Sequence, residues 1–307
     1  MFLKNLKTTS PISIVFFIVF ALVFCCLPIF KHPISSDTYF HSCFGNTTVF
    51  ILGLFLPLLQ SVGLNNLIYE KDVIKKNNLV LAPVFLLLGT PFISHVDGWI
   101  ISFLLLFYLN ALFSAYQKDR PFSQSFNANF LLGTISIFYS EILLLFPLII
   151  VVFLTFRNMS FRSVIISLMG LMVPLLFYWG YTFFFGIPFS FSLPIYSFVP
   201  PSTPAMNNLT YAEIIWYFLL AFILLFSFLE LLFWLYKKSI RSRKSFFVIL
   251  SYFFLLMFID VMDSYYLVLT PIAIIVANFF VYSKRGRLTE ILFFLFILSS
   301  IYYRISI

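Results

Sequence analysis

Apolar runs follow one another along the whole chain, and several of them are as long as a bilayer is thick. They lie near residues 11–30, 47–68, 79–94, 98–115, 126–156, 163–186, 211–236, 245–260, 264–282 and 288–303. A helix needs about 20 consecutive apolar residues to cross the hydrocarbon core of a membrane. The runs are continuous and do not alternate with a period of two, which excludes a membrane barrel. The pattern predicts an all-α, polytopic transmembrane helical bundle that forms a single integral membrane domain over residues 1–307.

Charged residues are too scarce for a soluble protein of this length. They make up 10% of the chain, whereas soluble domains carry about 25%. The three cysteines, Cys25, Cys26 and Cys43, have neither metal-ligand spacing nor the pattern of a disulfide framework. The basic start and the first apolar run are typical of a signal peptide, but no small-residue cleavage site follows. We therefore expect a retained first helix in a multi-pass protein of the cell inner membrane.

The basic residues predict the orientation of the helices. Lysine and arginine accumulate in the short cytoplasmic loops of membrane proteins. Applied here, this rule places the N-terminus and every basic residue except Lys31 and Arg304 in the cytoplasm, and it gives about 10 or 11 membrane segments. The net charge of +8 then reflects cytoplasmic helix ends, so no nucleic-acid partner is expected. The three histidines and most carboxylates fall on the outer side, where polar chemistry is expected.

The run 126–156 does not fit this alternation as a single helix. Basic residues lie on both sides of it, with Arg120 before and Arg157 after. A hairpin of two short helices that turns near Tyr139-Ser140-Glu141 would return the chain to the cytoplasm, provided that its tip is buried in protein or lines a wet cavity. One long tilted helix is the alternative, and it would leave Arg157 outside. We favour the hairpin.

The first outer loop, near residues 31–46, contains the strongest catalytic candidate. If residues 36–44 form a short interfacial helix, Asp37 and His41 share one face. Desolvation near the membrane plane raises the pKa of a carboxylate, which suits a general base. The alternative is that an exposed loop of this length needs polar residues only for solubility.

Three further carboxylates are candidates. Glu141 would lie at the tip of the hairpin, where an ionisable group at membrane depth indicates a function unless the tip reaches water. Asp260 and Asp263 would lie at an outer helix turn. There they can bind a divalent cation if a third oxygen ligand joins them, or they are solvated and one of them caps the next helix. A divalent cation is the one cofactor that the sequence suggests.

The other outer connections give weaker signals. The loop near residues 187–210 is rich in proline and aromatic residues and is long for a connection, so it either covers a substrate cavity or serves as a spacer. Asp97 before Gly98 is typical of a turn. The chain contains no phosphate-binding loop, dinucleotide fingerprint, HExxH zinc motif or serine nucleophile elbow.

Two stretches, FRNMSFRSVIISLMGLMVPLLFYWGYTFFFG (156–186) and FNANFLLGTISIFY (126–139), carry a resemblance to a known family. The chain resembles an uncharacterised family of inner-membrane proteins of Gram-negative bacteria, for which no activity is established.

The layout is also similar to that of the GT-C-type integral membrane glycosyltransferases, which use polyprenyl-phosphate sugars. Those enzymes have a similar number of helices, an acidic residue in the first outer loop, a hairpin like 129–156, and an aromatic-rich segment like YYLVLTPIAII (265–275). This resemblance implies that Asp37 is the base toward the acceptor, with Glu141 or Asp263 as its partner. The chain departs from the family in having one acid in a short first loop and no soluble outer domain.

The function expected from these features is transfer of a glycosyl or related group at the outer face of the inner membrane, from a lipid-linked sugar donor. Membrane lipid and a lipid-linked sugar are the expected partners. In this hypothesis His41 orients the base, and the substrate-binding residues are Lys31, Arg304, Asp260 and Asp263, the first two pairing with the donor phosphate. Two alternatives stay open, namely a non-enzymatic subunit or scaffold of an envelope assembly and a transporter of a lipid or small solute.

Overall fold

The computed structural model describes residues 2–26, 46–92, 96–186, 210–256, 261–283 and 286–306. Within these residues every regular element is helical and no strand occurs. The α-helices are α1 (Phe2–Leu6), α2 (Pro11–Cys26), α3 (Asn46–Glu70), α4 (Leu81–Leu88), α5 (Val96–Phe113), α6 (Phe122–Phe138), α7 (Pro147–Phe156), α8 (Phe161–Phe185), α9 (Tyr211–Leu235), α10 (Ile240–Leu256), α11 (Val261–Tyr282) and α12 (Gly286–Ser306). The all-α prediction is confirmed.

Five helices in the described part of the chain are long and apolar enough to cross a membrane. They are Ile51–Glu70, Val96–Phe113, Phe161–Phe185, Tyr211–Leu235 and Gly286–Ser306. Only 22% of the most apolar window of α9 and 28% of that of α8 is buried within the protein. A helix that is apolar all round and yet unburied needs lipid around it. The chain is therefore a membrane protein, and the larger count of 10 or 11 segments stays a prediction.

The chain divides into two compact units, each assembled from separate stretches. Unit 1 comprises Met1–Ser102, Pro204–Arg243 and Tyr265–Ile307, and unit 2 comprises Phe103–Thr203 and Lys244–Ser264. Helices α5, α10 and α11 contribute residues to both units.

In unit 2, the run 126–156 is broken into two helices. Helix α6 ends at Phe138, and Tyr139 leaves the helical conformation with φ −136° and ψ 89°. A 3-10 helix, Ser140–Leu145, follows, and α7 begins with Pro147, whose fixed φ and missing N–H suit a first helical turn. The break falls at the position predicted for the hairpin.

The two ends of this hairpin lie together. The Asn158 side-chain amide, after α7, donates a hydrogen bond of 3.0 Å to the carbonyl oxygen of Ala115, before α6. The Arg162 guanidinium then lies 4.8 Å from the ring centroid of Phe122 at the start of α6. Because the chain has returned to the end from which it started, the single long tilted helix is excluded.

Helices α6 and α8 run parallel and approach each other through glycine. A Cβ added at Gly133 would lie 2.5 Å from the carbonyl oxygen of Leu171, and one added at Gly170 would lie 2.6 Å from that of Phe126. Small residues permit this close backbone approach, which is a common way for helices to pack in membranes.

Serine caps the start of α8, because the Ser160 hydroxyl accepts a hydrogen bond of 3.1 Å from the backbone N–H of Ser163.

In unit 1, the loops predicted to be cytoplasmic meet at one end, called here the inner end. The backbone N–H of Leu79 donates a hydrogen bond of 2.8 Å to the carbonyl oxygen of Leu6. Burial lowers the pKa of the Lys7 amine, nearby Lys76 lowers it further, and the carboxylate of Glu290 raises it. These residues come from two loops and from the beginning of α12, which are distant in sequence, so the charge sorting predicted which chain segments lie together.

The turn expected at Asp97-Gly98 is wrong. Helix α5 already begins at Val96, so both residues belong to its first turn. Gly98 lies against the Tyr266 side chain, since an added Cβ would be 3.2 Å from Cγ of that ring. The glycine therefore provides room for an aromatic neighbour and does not serve a reverse turn.

Candidate functional site

Most of the residues proposed for the outer-face site fall outside the described part of the chain. These are Lys31, Asp37, His41 and Asp260. Asp263 belongs to the first turn of α11, but its side chain is also outside the described residues. Glu141 is half-buried in the 3-10 helix at the tip of the unit 2 hairpin, as expected from the sequence. Arg304 lies in unit 1, near the end of α12.

Arg304 is a buried cation. Its side chain is 5% exposed. The guanidinium carbon lies 3.4 Å from the ring centroid of Phe24 in α2, and Nη1 donates a hydrogen bond to the Phe24 carbonyl oxygen. The other two nitrogens, Nε and Nη2, have no hydrogen-bond partner within the residues described. A buried charge is strongly unfavourable unless it is paired and hydrogen-bonded, so an anionic partner is expected at this edge of the guanidinium.

Contacts between α9 and α12 hold the end of α12 in place. Thr210 and Glu213 form a capping box at the start of α9, and the Tyr303 hydroxyl donates to Oε1 of Glu213 at 3.5 Å. One turn further in, Nε1 of Trp216 donates a hydrogen bond of 3.0 Å to Oγ of Ser300, and both side chains are buried. Because one face of α12 packs against α9, Arg304, which follows Tyr303, lies on the side of α12 that faces α2.

A second polar cluster lies at the inner end of unit 1. It surrounds a cavity of about 270 Å³ that is lined by three lysines, one glutamate, two aromatic residues and three small polar residues. The charged and aromatic members are Lys75, Lys237, Lys238, Glu230, Trp234 and Tyr282. This surface is called here the inner cavity.

Lys238 is a cation of the inner cavity with two well-defined contacts. Its Nζ donates a hydrogen bond of 2.6 Å to Oδ1 of the buried Asn278, and it lies 4.4 Å from the ring centroid of Tyr282. Burial lowers the pKa of the Lys238 amine from 10.5 to about 8. Lys237 is exposed at the rim, 4.6 Å above the ring of Trp234. Cations held against aromatic faces are attracted by the ring quadrupole.

The loop that contains Lys75 is bound to the start of α10 by a hydrogen bond and an ion pair. The Ser242 hydroxyl, which is buried, donates a hydrogen bond of 2.7 Å to the carbonyl oxygen of Val73. Nη1 of Arg241 lies 2.8 Å from Oδ2 of Asp72. The wall of the inner cavity that carries Lys75 is therefore held by hydrogen bonds to α10.

The sequence interpretation used these lysines only as markers of orientation and missed the inner cavity. The available signal was the stretch WLYKKS (234–239), in which two aromatic residues precede two lysines at a membrane boundary. Glu230, an acid within an otherwise apolar run one turn earlier, was a second signal, and the structure places it in the wall of the same cavity.

No family model, curated protein or solved structure matches this chain. The resemblances noted from the sequence therefore stay predictions. Among the residues that the structure describes, no group of three His, Cys, Asp or Glu side chains could hold a metal ion. Since Asp260 and the side chain of Asp263 lie outside them, the divalent-cation hypothesis is untested.

Proposed function

We propose that this protein is an inner-membrane transferase that moves a glycosyl or related group at the outer face of the bilayer, from a lipid-linked phosphate donor to a hydroxyl acceptor. The observation that supports this proposal is the buried guanidinium of Arg304, with two nitrogens that have no partner in the described chain.

The geometry of Arg304 suits a phosphate. Nη1 is occupied by the Phe24 carbonyl oxygen, which leaves Nε and Nη2, the two nitrogens that form one straight edge of the guanidinium. This edge can bind two oxygens of one phosphate or carboxylate at once, which is the strongest form of charge-assisted hydrogen bonding in proteins.

The proposed base follows, along the sequence, the helix that contacts this cation. The first outer loop, which contains Asp37, follows α2 directly, and α2 supplies the Phe24 contacts to Arg304. In the proposed reaction the Asp37 carboxylate takes the proton of the acceptor hydroxyl, and the acceptor oxygen attacks the anomeric carbon. The bond from that carbon to the phosphate oxygen breaks, and its electron pair leaves with the polyprenyl phosphate. Arg304 stabilises the negative charge of the departing phosphate.

Binding of a polyprenyl monophosphate tests the role of Arg304. Full-length protein in lipid nanodiscs would be titrated with this lipid, and with the corresponding polyprenol as a probe that lacks the phosphate. Removing a hydrogen bond to a charged group costs about 1.5–3 kcal/mol of binding free energy. We therefore expect Arg304→Gln to weaken binding of the polyprenyl monophosphate by roughly 10- to 100-fold. Arg243→Gln, at an exposed arginine of the inner end, is the matched control and should bind as the wild type does.

Asp37→Asn separates binding from transfer. We expect this variant to bind the polyprenyl monophosphate like the wild type and to have lost group transfer in membranes that contain the native donor and acceptor. If Arg304→Gln binds the phosphate form as tightly as the wild type, the proposal is wrong. It is also wrong if Asp37→Asn and Arg304→Gln lower the free energy of unfolding equally and leave binding unchanged, because the two residues would then form only a structural ion pair.

A further inference from the structure

The charge balance of the inner cavity favours an anion. Its wall carries three lysines and one glutamate, which leaves an excess of two positive charges when all four are ionised. These side chains come from three parts of unit 1, namely the loop before α4, the connection from α9 to α10, and the end of α9. A set of lysines that converges from separate segments is unlike the scattered charge of a solvated surface, because like charges held together repel unless an anion lies between them.

The lysines that line the cavity are held by neighbouring side chains. Lys238 is fixed by Asn278 and Tyr282, and Lys237 lies over Trp234 at the rim. Ser239 and Ser242, at the start of α10, also line the cavity, and the backbone N–H of Ser242 donates a hydrogen bond of 3.4 Å to Oγ of Ser239. Lysine amines are common ligands of phosphate groups.

The helix that supplies Glu230 and Trp234 to the cavity also exposes apolar side chains that are suited to contact lipid tails. On α9, Leu229, Leu232 and Phe233 are 44%, 50% and 71% exposed. Tyr236, 65% exposed, follows at the level of the lysines. Tryptophan and tyrosine beside such a surface are typical of the headgroup level of a membrane, where one end of the ring is wet and the other apolar.

The size of the cavity agrees with a headgroup. Sites for drug-sized ligands enclose about 300–1,000 Å³, whereas the inner cavity has about 270 Å³. It can therefore hold a compact phosphate-bearing group while the rest of a lipid lies outside, along α9. The positive-inside rule assigns this end of unit 1 to the cytoplasmic leaflet, whose anionic lipids attract basic residues close to the membrane surface.

We propose that the inner cavity is a binding site for the phosphate headgroup of an anionic phospholipid, held by Lys75, Lys237 and Lys238, with the acyl chains of the lipid along the exposed face of α9. A bound lipid would hold the inner ends of α9, α10 and α11 together. The site is at the end of unit 1 opposite to Arg304 and does not depend on the transferase proposal.

The test is lipid binding to full-length protein, measured by native mass spectrometry from detergent micelles. The probes are phosphatidylglycerol, zwitterionic phosphatidylcholine with the same acyl chains, and soluble glycerol phosphate as a competitor. We expect phosphatidylglycerol to be retained in preference to phosphatidylcholine. A lysine near the membrane surface contributes about 1 kcal/mol to such binding, or about fivefold in affinity. Lys237→Gln and Lys238→Gln should each weaken retention by about fivefold, and the double variant by about 25-fold.

Lys244→Gln is the matched control, because it removes one positive charge from unit 2, where Lys244 lies 5.7 Å from the ring of Tyr116. Lys237 is exposed, so its substitution leaves the packing of unit 1 intact even if Lys238→Gln fails to fold. The proposal is overturned if Lys244→Gln weakens retention as much as Lys237→Gln does, if phosphatidylcholine is retained equally, or if glycerol phosphate competes with phosphatidylglycerol at equal concentration. The last result would make the site one for a soluble phosphate.

Discussion

Replacing Gly170 by alanine perturbs one of the two close backbone contacts between α6 and α8. The added Cβ would lie 2.6 Å from the carbonyl oxygen of Phe126 and 3.2 Å from its Cα. Ordinary contacts begin at 3.4 Å, so α6 and α8 would have to separate by about 0.8 Å at this point. The obstacle is the backbone of α6, which cannot rotate out of the way as a side chain could.

The expected destabilisation follows from two opposing effects. A gap of 0.5–1 Å forfeits about a quarter to a half of the dispersion energy of each contact it opens, and overpacking of this kind costs typically about 1–3 kcal/mol. Alanine is a better helix former than glycine by about 0.5–1 kcal/mol, which offsets part of this loss. We therefore expect Gly170→Ala to lower the free energy of unfolding by roughly 1–2 kcal/mol.

Gly180 provides a control on the same helix, because no atom lies within 4 Å of a Cβ added there. Gly180→Ala should leave the free energy of unfolding unchanged or raise it by up to about 1 kcal/mol. The two variants should thus differ by about 2 kcal/mol, a factor of roughly 30 in the ratio of folded to unfolded protein. Equilibrium unfolding of full-length protein in detergent micelles, followed by circular dichroism, measures this difference. Equal effects of the two substitutions would refute the close approach of α6 and α8.

Four further predictions concern other parts of the fold. Amine-reactive labelling of Lys238 should have its midpoint near pH 8, because burial lowers that pKa from 10.5 to about 8. Lys238→Met should therefore raise the free energy of unfolding below pH 8, because the wild-type protein buries the charged amine there. This gain in the free energy of unfolding should vanish above pH 10.5, where the amine is neutral in both the folded and the unfolded state. Unfolding at a series of pH values measures it. Trp216→Phe should lower the thermal stability by an amount equivalent to about 1–3 kcal/mol, because it leaves the buried Ser300 hydroxyl without its donor. Single cysteines at positions 118 and 162 should react with a membrane-impermeant maleimide from the same side of the bilayer, and reaction from opposite sides would contradict the hairpin.

The fold class and the hairpin could be predicted from the sequence. Continuous apolar runs leave little choice, because backbone groups in hydrocarbon must be hydrogen-bonded within the segment, and a helix achieves this with any apolar sequence. The break in 126–156 could be predicted because Arg120 and Arg157 flank the run on both sides. Charge sorting also indicated which loops come together, as the proximity of Lys7, Lys76 and Glu290 demonstrates.

The candidate sites depended on the tertiary structure. In the sequence, Arg304 is one cation near a helix end, and only the packing of α12 against α2 buries it against Phe24. The inner cavity combines Lys75 with Lys238 and Asn278, which are more than 160 and 200 positions further along the chain.

The apolar runs and the positions of the basic residues are enough to predict that the chain forms membrane helices and which ends of those helices carry the cations. It could not determine how each helix is rotated or which helix is its neighbour. In a soluble protein an apolar stripe gives that information, because only one face of a helix avoids water. Here α8 and α9 carry apolar side chains around most of their surface, so close contacts such as those of Gly170 and the few buried hydrogen bonds, such as that of Trp216 with Ser300, fix the rotation. These contacts form only in the packed structure, and they decide which polar side chains meet.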